Sequence, residues 1–220
     1  MLSGVVTTFN NAATLADCLA SLKACDDLVV LDSGSTDGSR EIAQQHGARV
    51  FIEDFKGYGP QKQSAVDKAR HDWVLLLDAD ERLAPGAADA IAAALRDPQA
   101  DGFRLPRREW LFWRWPHPAT RPNWQLRLFR RSVGGLNAVP VHAAPEVRGR
   151  VRDLDAPFLH YGEAEIAAAQ EILPDIKYVQ GIVKLQDGIV LIHDLEQFLS
   201  AEEERTLDEA LRSIPTLPDW

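Results

Sequence analysis

The stretch WVLLLDADERL, residues 73–83, is an apolar run that ends on three acidic residues, Asp78, Asp80 and Glu81. Asp78 and Asp80 are alternate residues, so both carboxylates can point into one site. Carboxylate oxygens are hard ligands for Mg²⁺ or Mn²⁺, and Mg²⁺ typically takes one or two of them beside substrate phosphates. The chain has no Gly-x-Gly-x-x-Gly motif and no P-loop, so a metal bridge would replace a phosphate cradle of backbone amides. For this motif alone, a solvated turn that caps the helix at Pro85 is an open alternative.

The elements that must position these acids alternate, through the first half of the chain, between apolar β-rich runs and helical ones. This alternation is typical of a parallel sheet covered by helices. We expect strands at 3–9, 28–32, 48–54 and 73–78, and helices at 12–24, 39–47 and 60–70. Ligands gather at the carboxyl ends of the strands in such sheets. The polar residues at those ends are therefore the binding candidates: Thr8, Asn10, Asp32 and the acids that begin at Asp78.

The composition fits one medium-sized globular domain, or one domain with an appendage. The chain has 220 residues, of which 45% are hydrophobic and 26% are charged, and these fractions are ordinary for such a protein. No run approaches the roughly 18 apolar residues that span a bilayer, and the start MLSGVVTTFN lacks the features of a signal peptide, so we expect a cytoplasmic protein. Cys18 and Cys25 flank part of a predicted helix, a spacing that fits neither a disulfide framework nor a metal site.

The net charge of −9 is unevenly distributed along the chain. Between Arg104 and Arg131 there are eight arginines and one acid, Glu109, so this stretch carries +7 and the rest carries −16. Aromatic residues at 110, 112, 113, 115 and 124 interleave with the arginines. Such a segment could contact a membrane interface, stack on sugar rings or bind phosphate. Equally, the aromatic residues could be core and the arginines could pair with the acidic remainder. We expect no nucleic-acid partner, because the whole protein is acidic and lacks a nucleic-acid-binding motif.

Several linked blocks carry more information than one Asp-x-Asp motif. They are TTFNNAATLADCLASL, LVVLDSGSTDGSREIAQQHGARV and GPQKQSAVDKARHDWVLLLDADERL, followed by RLPRREWLFWRW, NWQLRLFRR, VPVHAAPEV and FLHYGE. In order and spacing these blocks resemble the family 2 glycosyltransferases of the GT-A fold, and the branch that builds lipopolysaccharide core in particular. The resemblance covers residues 2–165 and implies an α/β fold with a Rossmann-like, mostly parallel sheet and flanking helices. It implies one domain, 1–165, with a nucleotide-sugar-binding half, 1–100, and an acceptor-side half, 101–165.

Carried over residue by residue, the resemblance implies a nucleotide-sugar donor held together with a divalent ion, Mg²⁺ or Mn²⁺. Asp78 and Asp80 match the family's metal-binding Asp-x-Asp, where the ion stabilises the nucleoside diphosphate as it leaves the sugar. Asp32 of DSGSTDG is expected to contact the nucleoside. Four more donor-binding residues are expected: Thr8 and Asn10 at the nucleoside, Lys62 near the phosphates, and Arg127.

The catalytic base is less clearly marked. Family 2 enzymes are typically inverting, so the resemblance implies that an acceptor hydroxyl attacks opposite the leaving diphosphate while a carboxylate removes its proton. Relatives in this branch often have His-Glu where this chain has His142 followed by Ala143. The catalytic candidates that are left are Asp80, Glu81 and Glu109, and Glu146 is also open as the base.

The acceptor is expected to be a glycan or a lipid-linked, phosphorylated saccharide such as lipopolysaccharide core. Such an acceptor would suit the basic aromatic segment and would bring the protein into peripheral contact with the inner face of the membrane. His142 and His160 could touch phosphate, although lone histidines are more often structural.

The tail, residues 166–220, departs from these relatives. YVQGIVKL and GIVLIHDLEQFL flank Gln186-Asp187-Gly188, and Asp-Gly suits a tight turn between apolar strands, so we predict a β-hairpin. Ser200 with Glu203 is similar to a capping box and predicts a terminal helix. Residues 171–212 resemble the C-terminal end of CheW-like chemotaxis coupling proteins. The alternative function is therefore a CheW-like adaptor, or a fusion protein, whose glycosyltransferase domain is idle.

A hairpin alone is marginal in water, so its apolar residues must find a partner surface. Apolar edge strands readily pair across a dimer axis, and we expect a homodimer through this segment. The residues expected to pack against that partner surface include Tyr178, Val179, Ile182, Val190, Ile192 and Leu195.

Overall fold

The computed structural model describes residues 1–110, 122–137 and 143–161, together with two strands at 179–185 and 188–193. The chain divides into two compact units. The first unit contains the described residues up to Tyr161, and the second contains the two later strands. The domain boundary expected at residue 165 stays a prediction.

The first unit is built on four parallel strands with a helix after each of the first three. The strands are β1 (Leu2–Thr8), β2 (Asp27–Asp32), β3 (Arg49–Ile52) and β4 (Trp73–Asp78), and the helices are α1 (Ala12–Ser21), α2 (Ser39–Gln45) and α3 (Tyr58–Asp67). They lie in the order β3-β2-β1-β4. The predicted alternation of strands and helices is confirmed. Helix α1 ends three residues earlier than expected, and α3 starts at Tyr58, which leaves Pro60 in the first turn where proline is tolerated.

The sheet continues beyond β4 into the second half of the chain. Its path runs from β4 to β7 (Asn123–Arg130), then to β6 (Gly102–Trp110), β11 (Phe158–Tyr161) and β5 (Glu81–Leu83), and β10 (Val151–Asp153) pairs with β6. Helix α4 (Ala87–Arg96) follows β5, and β8 (Gly134–Leu136) and β9 (Pro145–Val147) form a small separate sheet. The two predicted halves of the domain thus share one sheet.

The curl of this sheet follows from its strand order. Only Ala79 and Asp80 separate β4 from β5 along the chain, yet β5 stands four strands away at the end of the path. The sheet must therefore bend back so that its β5 edge returns to the end of β4. This bend surrounds the acidic turn with the side chains of β6, β7 and β11.

The core lies on both faces of the sheet because alternate strand residues point to opposite sides. Val6, Val30 and Leu75 are buried on one face with Leu15 and Leu19 of α1. Val5, Val29 and Leu76 are buried on the other face with Ala65 and Val66 of α3. Such burial from both sides is typical of parallel strands, and it explains their continuous apolar sequence.

Both cysteines are free thiols beside this core. Cys18 is buried and Cys25 is partly buried, and burial raises the pKa of the Cys25 thiol to about 12. Cys18 is part of the core, and Cys25 packs against it. Among the described helices, none combines the length and the apolar character that crossing a bilayer requires.

The second unit contains the predicted hairpin. Strand β12 (Val179–Leu185) pairs antiparallel with β13 (Gly188–His193), and Leu185 lies opposite Gly188 at the turn. This confirms the two strands. The helix expected after Ser200 lies outside the described residues.

Candidate active site

Strand register brings the predicted polar residues to one edge of the sheet. Thr8 at the end of β1 lies opposite Asp32 at the end of β2, and Thr7 lies opposite Asp78 at the end of β4. Because the strands are parallel, all three carboxyl ends meet at the same edge. This is the edge where open α/β sheets hold their ligands.

Asp32 is fully buried, and its two carboxylate oxygens have different environments. Oδ1 accepts backbone hydrogen bonds from Gly34 at 3.1 Å and Ser35 at 2.9 Å, and Arg40 Nε lies 3.5 Å away. Oδ2 is buried without a hydrogen-bond partner among the described residues. An unpaired buried carboxylate oxygen is costly, so a ligand that donates a hydrogen bond to it would be stabilised.

Thr8 and Asn10 use their polar groups within the neighbouring loops. The Thr8 hydroxyl, which is buried, donates to Asn11 Oδ1 at 3.2 Å. Asn10 has a positive φ of 55°, its N–H donates to Ser35 Oγ at 2.9 Å, and its Oδ1 accepts the Thr36 N–H at 2.8 Å. These bonds fix the loop after β1 against the loop after β2. Thr8 and Asn10 therefore shape this edge of the sheet, and their contact with a nucleoside stays a prediction.

We predict that Asp32→Asn weakens the binding of free uridine, or of the nucleoside that the donor carries, by about 10- to 100-fold even when metal is chelated. The amide keeps Oδ1 for the Gly34 and Ser35 N–H groups but removes the charge, and hydrogen bonds to charged groups contribute about 1.5–3 kcal/mol. Calorimetric titration in EDTA measures the change. Asp54→Asn is the matched control, because Asp54 is an exposed acid after the adjacent strand β3. Equal affinity in wild type and the Asp32 variant would show that Asp32 does not serve the nucleoside.

Asp78 is held between two cations. Lys62 Nζ of α3 lies 2.5 Å from its Oδ1, and Arg127 Nη2 of β7 lies 3.5 Å from its Oδ2. Burial alone would raise the pKa of this carboxyl, but the charges of Lys62 and Arg127 outweigh it and lower the pKa to about 2. Asp78 is therefore a stable anion that keeps both cations at the carboxyl end of β4.

Glu81 is buried beneath Asp78 and forms the base of the turn. Its Oε1 lies 2.6 Å from Arg127 Nη2 and 4.0 Å from Arg107 Nε, and its Oε2 accepts the Asp78 N–H at 3.0 Å. Burial raises the pKa of Glu81 above its usual range, and the negative charge of Asp78 adds to the rise while Arg127 opposes it. With only 1% of its side chain exposed, Glu81 holds the acidic turn in shape and is poorly placed to meet an acceptor.

Asp80 is the third acid of the turn, and it contacts β11. His160 Nε2 lies 3.3 Å from Asp80 Oδ2, and Arg107 Nη2 donates to His160 Nδ1 at 2.8 Å. Arg107 also pairs with Glu109 Oε1 at 3.1 Å. Within the part of the chain that the structure describes, Asp80 Oδ1 has no ion-pair or hydrogen-bond partner. Asp80 is therefore the acid of the turn with an oxygen left for a ligand.

These side chains fit a divalent ion that is shared with a diphosphate. Among the described residues, no three His, Cys, Asp or Glu side chains are grouped closely enough to enclose a metal on their own. Mg²⁺ commonly takes only one or two carboxylates and completes its shell with phosphate and water. Asp80 Oδ1 could ligate the ion directly. Asp78 could ligate it if Lys62 or Arg127 moved away from its carboxylate.

The comparisons with known proteins agree with this architecture. The model of the family described as Glycosyl transferase family 2 matches residues 3–144. The chain belongs to this family. Lipopolysaccharide core biosynthesis glycosyltransferase LpsC of Rhizobium meliloti is 30% identical over 186 residues, which cover 80% of this chain and 68% of LpsC. An uncharacterized glycosyltransferase of Rickettsia felis is 40% identical over 91 residues, which cover 41% of this chain and only 32% of that protein.

The fold of this glycosyltransferase is also found among solved structures. Residues 1–349 of TarS from S. aureus superpose with a TM-score of 0.55 at 15% identity, covering 80% of this chain and 66% of that one. At this identity the likeness concerns the fold alone. It confirms the predicted GT-A architecture of an α/β protein with a mostly parallel sheet.

Four of the described arginines of the basic segment pair with acids of the same glycosyltransferase domain, namely Arg104, Arg107, Arg127 and Arg130. Arg104 lies 2.6 Å from Asp153, and Arg130 lies 3.1 Å from Asp72. Arg127, predicted to bind the donor, is buried against Glu81 and Asp78. The sequence left two interpretations open for these arginines, which were contact with a ligand or membrane and pairing with acids elsewhere in the chain. The structure shows the ion pairs. Residues 111–121 and His142 lie outside the described residues, so their predicted contacts are not described.

The sequence did not indicate that Arg107 belongs to the candidate site, or that His160 lies beside Asp80. Their contact joins β6 to β11 across 53 positions of the chain, so no local spacing indicates it. The one available signal is that Arg107 and Glu109 are alternate residues and share a face of β6. Glu146, the remaining candidate base, lies on β9 and accepts a hydrogen bond from Asn137 at 3.2 Å, and none of its described contacts reaches the acidic turn.

Proposed function

We propose that this chain is a metal-dependent, inverting glycosyltransferase that moves a sugar from a nucleotide-sugar donor to a saccharide acceptor. The observation that carries the proposal is the turn after β4. It presents Asp78 and Asp80 at the ligand-binding edge of a GT-A sheet, and Lys62 and Arg127 supply positive charge at the same place. A diphosphate needs this combination of positive charge and metal-binding oxygens.

Lys62 is the residue that we expect to meet the diphosphate. Only 13% of its side chain is exposed, and its ammonium is already at Asp78. A lysine ammonium is a compact charge on a flexible stem, so it can turn from Asp78 to an entering phosphate without a change in the fold. That turn would also free Asp78 Oδ1 for the metal.

Asp80 and Asp78 would hold Mg²⁺ or Mn²⁺. When bound, such an ion stabilises the charge that develops on the leaving nucleoside diphosphate. The cations of the chain support the same leaving group, and the buried pair of Glu81 with Arg127 keeps the turn in position. Asp32 and the loops that Thr8 and Asn10 fix would bind the nucleoside at the neighbouring strand ends.

Glu109 is our candidate for the general base. Its side chain is 34% exposed, against 1% for Glu81, and Arg107 fixes it at 3.1 Å. Glu109 lies opposite His160 in the pairing of β6 with β11, which places it one strand from Asp80. An inverting reaction needs a carboxylate that an acceptor hydroxyl can reach. Asp80 is occupied on one oxygen by His160, and we assign its other oxygen to the metal.

The acceptor that we propose is a saccharide of the lipopolysaccharide core type, since the relative LpsC bears that name. A lipid-linked form of it would bring the protein to the inner face of the membrane, and the basic aromatic segment is the candidate contact. The CheW-like resemblance of residues 171–212 and the homodimer through the tail stay predictions, because no comparison reported above bears on them.

Thermal unfolding with a panel of nucleotide sugars and Mn²⁺ tests the proposal. A ligand that binds only the folded state at 100 times its Kd stabilises it by about 2.7 kcal/mol. We expect one nucleotide family to raise the unfolding temperature with Mn²⁺ and to do so much less with EDTA. If no nucleotide sugar shifts the transition, the proposed donor site does not exist.

A further inference from the structure

We propose that Asp37 is a positioning residue for the nucleoside end of the site. Its carboxylate caps two helices at once, and it ties the loop after β1, residues 9–11, to the loop after β2, residues 33–38. This tie holds Asn10 and Asp32 in place for a nucleoside. The role rests on the proposed function, since it needs a nucleoside that binds at Asp32.

Each oxygen of the Asp37 carboxylate accepts a hydrogen bond from the N-terminus of a different helix. Oδ2 accepts the N–H of Ala12, the first residue of α1, at 2.9 Å. Oδ1 accepts the N–H of Ser39, the first residue of α2, at 2.9 Å. The first N–H groups of a helix have no partner within the helix. One side chain therefore satisfies a donor of each helix.

The residues at the two N-cap positions leave this task to Asp37. The N-cap residue of α2 is Gly38, which has no side chain. The N-cap residue of α1 is Asn11, whose Oδ1 instead accepts the Thr8 hydroxyl at 3.2 Å and the Phe9 N–H at 3.1 Å. The capping of both helices therefore depends on Asp37.

The bond from Asp37 to α1 is the last of three in a row. The N–H groups of residues 10–12 donate, in this order, to Ser35 Oγ at 2.9 Å, to Ser39 Oγ at 3.0 Å and to Asp37 Oδ2 at 2.9 Å. Ser35 and Ser39 are fully buried, so water has little access to their hydroxyls. Asp37 therefore closes a row of sheltered bonds between the two loops.

The same row fixes two residues that we expect to contact the nucleoside. Ser35 donates its own N–H to Asp32 Oδ1 at 2.9 Å, and this bond restricts the rotation of the Asp32 carboxylate. Asn10 has a φ of 55°, a left-handed conformation that persists where surrounding contacts hold it. Loss of the tie at Asp37 would let the loops separate, so both residues would lose part of their fixed geometry.

The charge of Asp37 suits its place between two helix N-termini. Burial alone would raise the pKa of this carboxyl, but hydrogen bonds from Ser39 and Ala12 outweigh it and lower the pKa. Asp37 is thus an anion at neutral pH, and a negative charge is favourable at the positive end of a helix dipole. An asparagine would keep the shape of the side chain but would offer one acceptor oxygen instead of two.

Hydrogen exchange of backbone amides in the free protein tests the tie without any ligand. We expect Asp37→Ala to speed exchange by about 10-fold at Asn10 and Asn11, whose N–H groups bond to other residues, as well as at Ala12. Glu41→Gln is the matched control, because Glu41 is an exposed acid in the first turn of α2, and it should leave these rates unchanged. Faster exchange at Ala12 alone would show that Asp37 is only a local cap and would overturn the proposal.

Calorimetric titration of free uridine, or of the nucleoside identified by thermal unfolding, tests the consequence for binding in EDTA. Loss of one helix cap shifts a local equilibrium by about 2- to 30-fold, and the apparent Kd rises as the competent state is depleted. We expect Asp37→Ala to raise the Kd by about 10-fold, Asp37→Asn to give an intermediate value, and Glu41→Gln to give the wild-type value. A Kd for Asp37→Asn that equals that of the wild type or that of Asp37→Ala would overturn the double cap.

The gain from Mn²⁺ separates positioning of the nucleoside from general damage to the site. Asp78 and Asp80 lie at the end of β4 and after it, whereas the bonds of Asp37 join the loops after β1 and β2. Asp37→Ala should therefore keep the wild-type ratio of the nucleoside diphosphate affinities with Mn²⁺ and with EDTA. A ratio that falls together with the affinity would overturn a role limited to the nucleoside end.

Failure of this role and failure of the proposed function give different results. A wild type that binds neither the nucleoside nor its diphosphate contradicts both. A wild type that binds the nucleoside, with an Asp37→Ala variant that binds it equally well, contradicts the positioning role alone.

Discussion

Asp80→Asn is expected to reduce sugar transfer by more than about 100-fold while the fold stays intact. The amide keeps the shape of the side chain, so the contact with His160 can stay in place. It loses the charge with which Asp80 Oδ1 would hold the divalent ion, and such an ion contributes several kcal/mol of charge stabilisation. Transfer is measured with the donor identified by thermal unfolding, and the unfolding transition of the free protein reports the fold.

The matched control for this variant is Asp153→Asn. Asp153 also pairs with an arginine on β6, Arg104, at 2.6 Å, but none of its described contacts reaches the acidic turn. Its loss should leave transfer unchanged. If Asp80→Asn turns over the donor at the wild-type rate, the assignment of Asp80 is wrong.

Arg127→Met is expected to destabilise the first unit by about 3–5 kcal/mol at neutral pH. Removal of one member of a buried ion pair leaves an uncompensated charge, which carries a penalty of about this size. Glu81 has 1% of its side chain exposed and Arg127 has 8%, so water cannot replace the lost partner. Urea unfolding of wild type and variant measures the difference.

The pH dependence of this loss identifies its cause. Burial already raises the pKa of Glu81 in the folded protein, so this group favours folding at low pH and loses that contribution as pH rises through the raised pKa. Without Arg127 the pKa should rise further, and the Arg127→Met protein should recover stability as pH falls.

The double variant Arg127→Met with Glu81→Gln is the control for that interpretation. It lacks both charges of the buried Glu81–Arg127 pair, so it should be more stable than Arg127→Met alone at neutral pH. A double variant that is no more stable would show that Arg127 contributes mainly through packing, for example against the Phe158 ring 5.2 Å away.

The parallel half of the fold was predictable because its strands are buried on both faces. The expected strand 73–78 coincides with β4, and 28–32 differs from β2 by one residue. Strands β5, β10 and β11 were not predicted, since they have three or four residues each. Strands that short show no clear period, and their pairing depends on contacts distant in sequence.

The sequence likewise predicts only the part of the candidate site that lies at the ends of the parallel strands. Asp32 and Asp78 follow apolar runs, so the sequence predicts that they lie at one edge of the sheet. The burial of Glu81 with Arg127, and the contact of His160 with Asp80, arise only when the sheet curls and brings β5, β7 and β11 around one turn. Spacing along the chain does not contain that information.

We propose that the acidic turn binds a metal ion together with the donor diphosphate. Calorimetric titration of the nucleoside diphosphate, with Mn²⁺ and again with EDTA, measures this coupling most directly. We expect Mn²⁺ to strengthen binding to the wild type by at least about 10-fold, about 1.4 kcal/mol, and Asp80→Asn to abolish the gain. Equal affinities with and without the metal in the wild type would contradict it.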